Sequence, residues 1–216
     1  MAGRASAQSA LETRRSVLRA AAELASVEGL DSVTIGQLAD RLGMSKAGVI
    51  GQFRSKERLQ LETVDLVMDD VRARVWQPVS HLDAGLPRLL ALCASWVRYA
   101  ANPGYPGGCL FTQVTYDYDG RSGAVHDRIA EGRARWREVL RRDITTAVAA
   151  GDLPPGTDVA QVIYGLESLA AGITPARLLH GDDQTETWAL RGMHAILGIP
   201  APPDGDARVT SPVERP

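Results

Sequence analysis

Apolar residues recur three and four positions apart along most of this chain, and period-two alternation is nearly absent. Val17, Ala21, Leu24 and Ala25 make one stripe, which Gly29 closes; Ile35, Leu38 and Ala39 make another, ending near Leu42 at Gly43. Val49 and Phe53 stand four apart. Val64, Val67, Met68, Val71 and Val75 then carry a helix from Ser55 to Trp76, short of Pro78. A fifth pattern follows Pro87 through Leu89, Leu92, Cys93, Trp96 and Ala100, and the run from Asn102 to Gly108 reads as a loop. A short helix is expected over Cys109 to Tyr118, and longer ones from about Ala124 to Ala150, from Asp158 to about Gly181, and from Thr185 to Leu197. Thr34, Ser45, Ser55 and Asp158 each stand where a helix N-terminus needs a side-chain oxygen to accept its free N–H groups. Pro175 should kink or end its helix. The fold class is all-α.

Composition sets the class. The 216 residues are 44% hydrophobic and 23% charged, enough for a substantial core without disulfide or metal staples. Two cysteines, Cys93 and Cys109, fit a reducing cytoplasm. The opening MAGRASAQSALETRR lacks an apolar signal-peptide core, and no stretch approaches the roughly 18 apolar residues of a membrane span. A cytoplasmic protein without membrane contact is therefore expected. Net charge is −2, but residues 1–60 carry +3 and the remainder −5. A basic first quarter on an acidic remainder is what one phosphate-facing end would produce.

The segment from Thr34 to Phe53 contains two short helical patterns joined at Gly43, which supplies the positive φ of a tight turn, while Ala39 lets the helices cross closely. This is a helix-turn-helix. Its second helix, about Ser45 to Phe53, would enter a DNA major groove. With Val49 and Phe53 facing inward, Lys46, Ala47, Gly48, Ile50, Gly51 and Gln52 face the groove or its rim. Only Lys46 and Gln52 can donate to base edges there, with Ala47 and Ile50 available to thymine methyls. Thr34, at a helix N-terminus, suits a phosphate oxygen. Arg4, Arg14, Arg15 and Arg41 are further candidates for backbone contacts.

These residues resemble the TetR family of bacterial transcriptional regulators. The likeness is carried by Ala21 to Leu24, Thr34-Ile35-x-x-Leu38-Ala39, Gly43-x-Ser45-Lys46, Phe53, and Ser55-Lys56-Glu57-x-x-Leu59. Ile50 and Gly51 depart from it, since the family commonly has an aromatic residue at the first position and a polar or aromatic one at the second. The run Pro106-Gly107-Gly108-Cys109, followed by an aromatic helix and Asp119-Gly120-Arg121, resembles one subgroup of the family. The resemblance implies a homodimer binding a palindromic operator, a repressor released by a small-molecule ligand, and Lys56 as a phosphate clamp. It divides the chain into a DNA-binding domain at 1–54 and a ligand-binding and dimerisation domain at 55–198, and the Pro-rich composition of 199–216 adds a tail expected to be disordered. Lys46 and Lys56 are the only lysines beside 22 arginines, and both fall inside the motif.

Six of the eleven aromatic residues lie between Trp96 and Tyr118, around the Gly/Pro-rich loop that contains Tyr105. Rigid rings with polar tips suit a ligand cavity, and Cys93, Trp96, Tyr99, Phe111, Tyr118, Trp136 and Tyr164 are its candidate lining. Each ring also suits plain core packing. Small residues three or four apart in the penultimate helix, with apolar ones in the last, give the candidate dimer interface Gly165, Leu169, Gly172, Ile173, Trp188, Met193 and Ile196. No nucleophile elbow, P-loop or metal-spaced histidine pair occurs, so neither enzyme, metal site nor cofactor is expected. The alternative is a helical small-molecule or redox-sensing module whose N-terminal hairpin makes protein contacts.

Overall fold

A computed structural model describes residues 2–201, and among these every regular element is a helix. The tail residues from Pro202 onward, expected to be disordered, lie outside the described residues. The α-helices are α1 (Ala2–Glu28), α2 (Ile35–Leu42), α3 (Lys46–Phe53), α4 (Lys56–Val71), α5 (Leu86–Ala101), α6 (Leu110–Tyr118), α7 (Ala124–Ala150), α8 (Val159–Leu178) and α9 (Thr185–Ile196).

The expected caps are present. The Thr34 hydroxyl accepts from the Gln37 N–H at 3.2 Å while the Gln37 side chain accepts from the Thr34 N–H at 2.8 Å, a reciprocal capping box. Ser45 accepts from Gly48 N–H, Ser55 from Arg58 N–H, and Asp158 from both Ala160 and Gln161 N–H. Gly43 closes α2 at φ 63°, in the left-handed region its missing Cβ allows. One expectation fails. The fourth helix is not continuous to Trp76: α4 ends at Val71 and passes into a π-helical turn, Arg72–Trp76. Pro175 stands in the last turn of α8, which ends three residues later at Leu178, and its own carbonyl accepts from the Leu179 N–H at 2.9 Å.

The described residues form two compact units, the first made of those up to Arg74 with Asn102–Trp136, the second of Val75–Ala101 with those from Arg137 onward. In the first, Val17, Ala21 and Ala25 of α1 are buried together with Leu38, Ala39, Val49, Phe53, Leu59, Val64 and Val67. Burying a ring such as Phe53 contributes roughly 2–3 kcal/mol, which anchors a short helix that two internal glycines would otherwise leave marginal. The loop before α6 docks on the end of α1. Gly107 N–H donates to the Ser26 hydroxyl at 3.0 Å, and the Gln113 amide donates to the carbonyls of Ser26 and Gly107 at 2.8 and 2.9 Å. A Cβ on Gly107 would stand 1.6 Å from the Ser26 carbonyl oxygen, so only glycine allows this approach.

In the second unit, α8 and α9 pack on each other and on α5. Leu89, Leu92, Leu140, Ile144, Leu166, Ile173 and Met193 are fully buried there. An ion pair is enclosed with them: Arg88 donates to Asp143 at 2.6 Å, with the two side chains 8% and 0% exposed, and Arg88 also donates to the Leu82 carbonyl.

Candidate nucleic-acid interface

Three successive helix starts converge near the turn that leads into α2. The Lys46 side chain, from the first turn of α3, lies over Gly36, where a Cβ would meet its Cε at 3.5 Å, its Nζ at 3.8 Å and the Thr34 hydroxyl at 3.8 Å. Lys56, first residue of α4, donates from Nζ to the carbonyl of Asp31 on the 3-10 turn Leu30–Ser32. Both ammonium groups therefore reach the Asp31–Gly36 segment, beside the N-terminus of α2. Positive charge plus a helix N-terminus is a favourable setting for an anion. The Thr34 hydroxyl donates to Gln37 Oε1 at 2.9 Å, so it serves the cap and not an outside oxygen.

On α3, Val49 and Phe53 are buried, whereas Lys46, Ala47, Ile50 and Gly51 are exposed and Gly48 and Gln52 are partly so. A Cβ on Gly51 would meet nothing within 4 Å, and one on Gly48 would touch its own cap at Ser45 Oγ, 3.2 Å away. The exposed face is thus short of donors, as the sequence implies.

Arg14, a candidate for DNA contact, has another task. It donates to Glu62 on α4 at 2.9 Å, lies 4.4 Å from the Phe53 ring centre, and donates to the carbonyl of Gln52 in the last turn of α3. A cation at a helix C-terminus complements the negative end of its dipole. Arg41 pairs with Glu23, and Arg15 is exposed. Arg4 lies where no side chain is described. Arg54, between α3 and α4, adopts φ 67°, an uncommon conformation for a residue with a Cβ.

The aromatic candidates separate. Cys93, Trp96 and Tyr99 are buried on α5 in the second unit. Burial, with Asp143 adding to it, pushes the Cys93 thiol up to about 12. Phe111 and Tyr118, on α6, and Trp136, on α7, belong to the first unit. Phe111 packs on Gly132, where a Cβ would lie 3.3 Å from the ring, and under Arg133 at 5.8 Å. Tyr118 is not a cavity-facing hydroxyl: it donates to the Asp31 carboxylate at 2.7 Å. Tyr105 likewise donates to Asp70, which also accepts from Arg19 of α1 at 3.2 Å. Burial, then the hydrogen-bonded carboxylate, raises both phenols far above the usual tyrosine range. Tyr164 is 70% exposed on α8 and lines no interior.

The expected interface residues also divide. Ile173 and Met193 are fully buried in the core of one chain and have no surface to offer a partner. Gly165 is filled by Ile196, whose Cδ1 would lie 2.7 Å from an added Cβ, and Gly192 receives Leu169 at 3.0 Å, so these pairs join α8 to α9. Trp188 and Ile196 remain 53% and 37% exposed, and Gly172 is exposed. Periodicity alone finds apolar stripes without separating the stripe that packs internally from the one left outside.

Among the described residues no helix is long and apolar enough to cross a membrane, and no cluster of His, Cys, Asp or Glu is arranged to hold a metal ion. Residues 17–63 match the family described as bacterial regulatory proteins, tetR family, and residues 85–193 match the tetracyclin repressor-like C-terminal domain. The HTH-type transcriptional regulator SrpR of Pseudomonas putida is 25% identical over 201 residues, with 91% of each chain covered. A TetR transcriptional regulator from Chloroflexus aurantiacus superposes with a TM-score of 0.75 at 24% identity, over 88% of this chain and 95% of that one. AibR, solved with isovaleryl coenzyme A and operator DNA, superposes with a TM-score of 0.72 at 17% identity, over 85% and 97%. Two matching halves in the expected order, on an all-helical scaffold with a capped helix-turn-helix, assign this chain to the TetR family of bacterial transcriptional regulators.

Proposed function

We propose that the protein is a homodimeric repressor that binds a near-palindromic operator through α3 and releases it when a small molecule binds. The observation that carries this reading is the convergence of Lys46 and Lys56 on the segment entering α2. Lys56 holds a backbone phosphate; Lys46 and Gln52 read the groove, with Ala47, Gly48 and Ile50 in close contact and DNA shape supplying part of the specificity. Thr34 contributes through the helix start it caps.

Functionally, residues 1–54 are the DNA-binding part and residues 55–198 the ligand-binding and dimerisation part. Cys93, Trp96 and Tyr99 on α5 are the ligand-facing candidates. Tyr164, Trp188 and Ile196, with Gly172, make the partner face, because large apolar side chains exposed beside small residues are what a second copy would cover. The Pro106-Gly107-Gly108-Cys109 loop marks the family subgroup. Operator release follows from linkage: a ligand that prefers the conformer with unsuitably placed recognition helices lowers operator affinity by its differential affinity. The chain performs this role without catalysis.

The test uses a duplex enriched from a random-sequence pool by the wild-type protein. Lys56→Ala should weaken binding evenly across sequences and make the salt dependence shallower by about 0.9 in log–log slope. Lys46→Ala should also relax base preference. Unchanged affinities and slopes in both variants would sink the reading.

A further inference from the structure

Asp31 gathers more side chains than any surface residue of its size needs. Its carbonyl accepts from Lys56. One carboxylate oxygen accepts from Gln60 on α4 at 2.8 Å and from Tyr118 at the end of α6 at 2.7 Å, and the other accepts from Arg121, just beyond α6. Arg121 also lies 4.7 Å from the Tyr118 ring centre, which fixes where its guanidinium can sit. All of these residues belong to the first compact unit. The Tyr118 hydrogen bond, with Arg121 and Gln60, holds the Asp31 carboxyl below its ordinary range, so at neutral pH the residue whose carbonyl Lys56 binds carries a full negative charge. The Asp117 carboxylate lies close by, 3.5 Å from where Gly29 would carry a Cβ.

A carboxylate there would repel the phosphate that Lys56 is to hold. Arg121 removes that charge, and it comes from a segment remote in sequence from the helix-turn-helix. We infer that Arg121 is a positioning residue for DNA binding, which neutralises Asp31 and so lets Lys56 present its charge to the DNA backbone. The inference rests on the reading of Lys56 as a phosphate contact. Its consequence is that the end of α6, through Tyr118 and Arg121, sets DNA affinity without touching DNA. With side chains 48% and 49% exposed, the Asp31–Arg121 pair contributes little to stability but leaves its charge balance felt across the surface.

The experiment measures binding to the enriched duplex by fluorescence anisotropy across salt concentrations, with melting curves of each variant. Arg121→Ala should weaken binding about three- to tenfold at low salt, the effect of one uncompensated charge near one or two phosphates in water-like screening. Arg121→Gln, which can still donate to Asp31, should weaken it as much. Asp31→Asn with Arg121→Ala should return affinity to within about twofold of wild type, since asparagine keeps an acceptor for Gln60 and Tyr118 but carries no charge. The number of phosphates neutralised, read from the salt slope, should stay the same. A double variant as weak as Arg121→Ala would make the pair a mere staple, and a slope shallower by about 0.9 in Arg121→Ala would make Arg121 itself a phosphate contact. Either result overturns the inference, as does wild-type affinity in Arg121→Ala. If Lys56→Ala leaves binding unchanged, the underlying DNA reading fails; if Lys56→Ala weakens binding and Arg121→Ala does not, this inference alone fails.

Discussion

Replacing Gly107 by alanine tests how the loop before α6 is held. The new methyl would stand 1.6 Å from the Ser26 carbonyl oxygen and 2.2 Å from its carbonyl carbon, both backbone atoms of a helix that cannot turn aside. The loop must therefore retreat by more than an ångström. That breaks the 3.0 Å bond from Gly107 N–H to the Ser26 hydroxyl and stretches the 2.8 Å bond from Gln113 to the Ser26 carbonyl. Two hydrogen bonds contribute about 1 kcal/mol each, and Ser26 is buried, so a polar atom left without a partner costs about 1 kcal/mol more. Alanine stiffens the unfolded chain and returns roughly 0.7 kcal/mol. The net loss is about 2–3 kcal/mol, which for a chain of this size lowers the melting temperature by about 5–10 °C. Gly120→Ala is the control, because a Cβ there meets nothing within 4 Å. Differential scanning calorimetry of both variants decides the matter. If Gly107→Ala melts within about 2 °C of wild type and of the control, the close approach described here is not what holds the loop.

Trp188→Glu combined with Tyr164→Glu should halve the mass in light scattering from twice the 23.2 kDa chain to a single chain, because both side chains are exposed and their loss leaves the core of one chain untouched; a double variant of doubled mass would put the interface elsewhere. Cys93 should resist iodoacetamide at pH 8 in the folded protein and react on unfolding, since its thiol is fully buried and pushed up to about 12. Native labelling of Cys93 at the rate of a free thiol would contradict this.

What the sequence makes legible is what depends on near neighbours. Thr34, Ser45, Ser55 and Asp158 announce their helices because a cap acts within three residues, and Val49 and Phe53 declare the inner face of α3 because their spacing is that of one helical turn. Pairings across long separations are not legible. Nothing near Tyr118 in sequence says that its hydroxyl meets Asp31, and nothing near Arg14 says that it holds Glu62 and the end of α3. A ring with a polar tip reads equally well as cavity wall or as latch, and for Tyr105 and Tyr118 a distant carboxylate decides it. Ile173 and Tyr164 show the same limit on one helix, where small-residue spacing marks a close approach without naming the partner.

The recognition helix is an economical object. It is only eight residues long and two of them are glycine, so it forms because Ser45 caps one end and Arg14 binds the other, not through its own propensity. Since scaffold contacts hold it, its outward positions are free to change. Gly51 faces open space, and a larger residue other than proline installed there would gain up to about 1 kcal/mol of helix propensity while adding a new group to the exposed surface of α3. On the DNA-binding reading proposed above, a change at Gly51 alone would alter the target sequence while the contacts that hold the helix stay as they are.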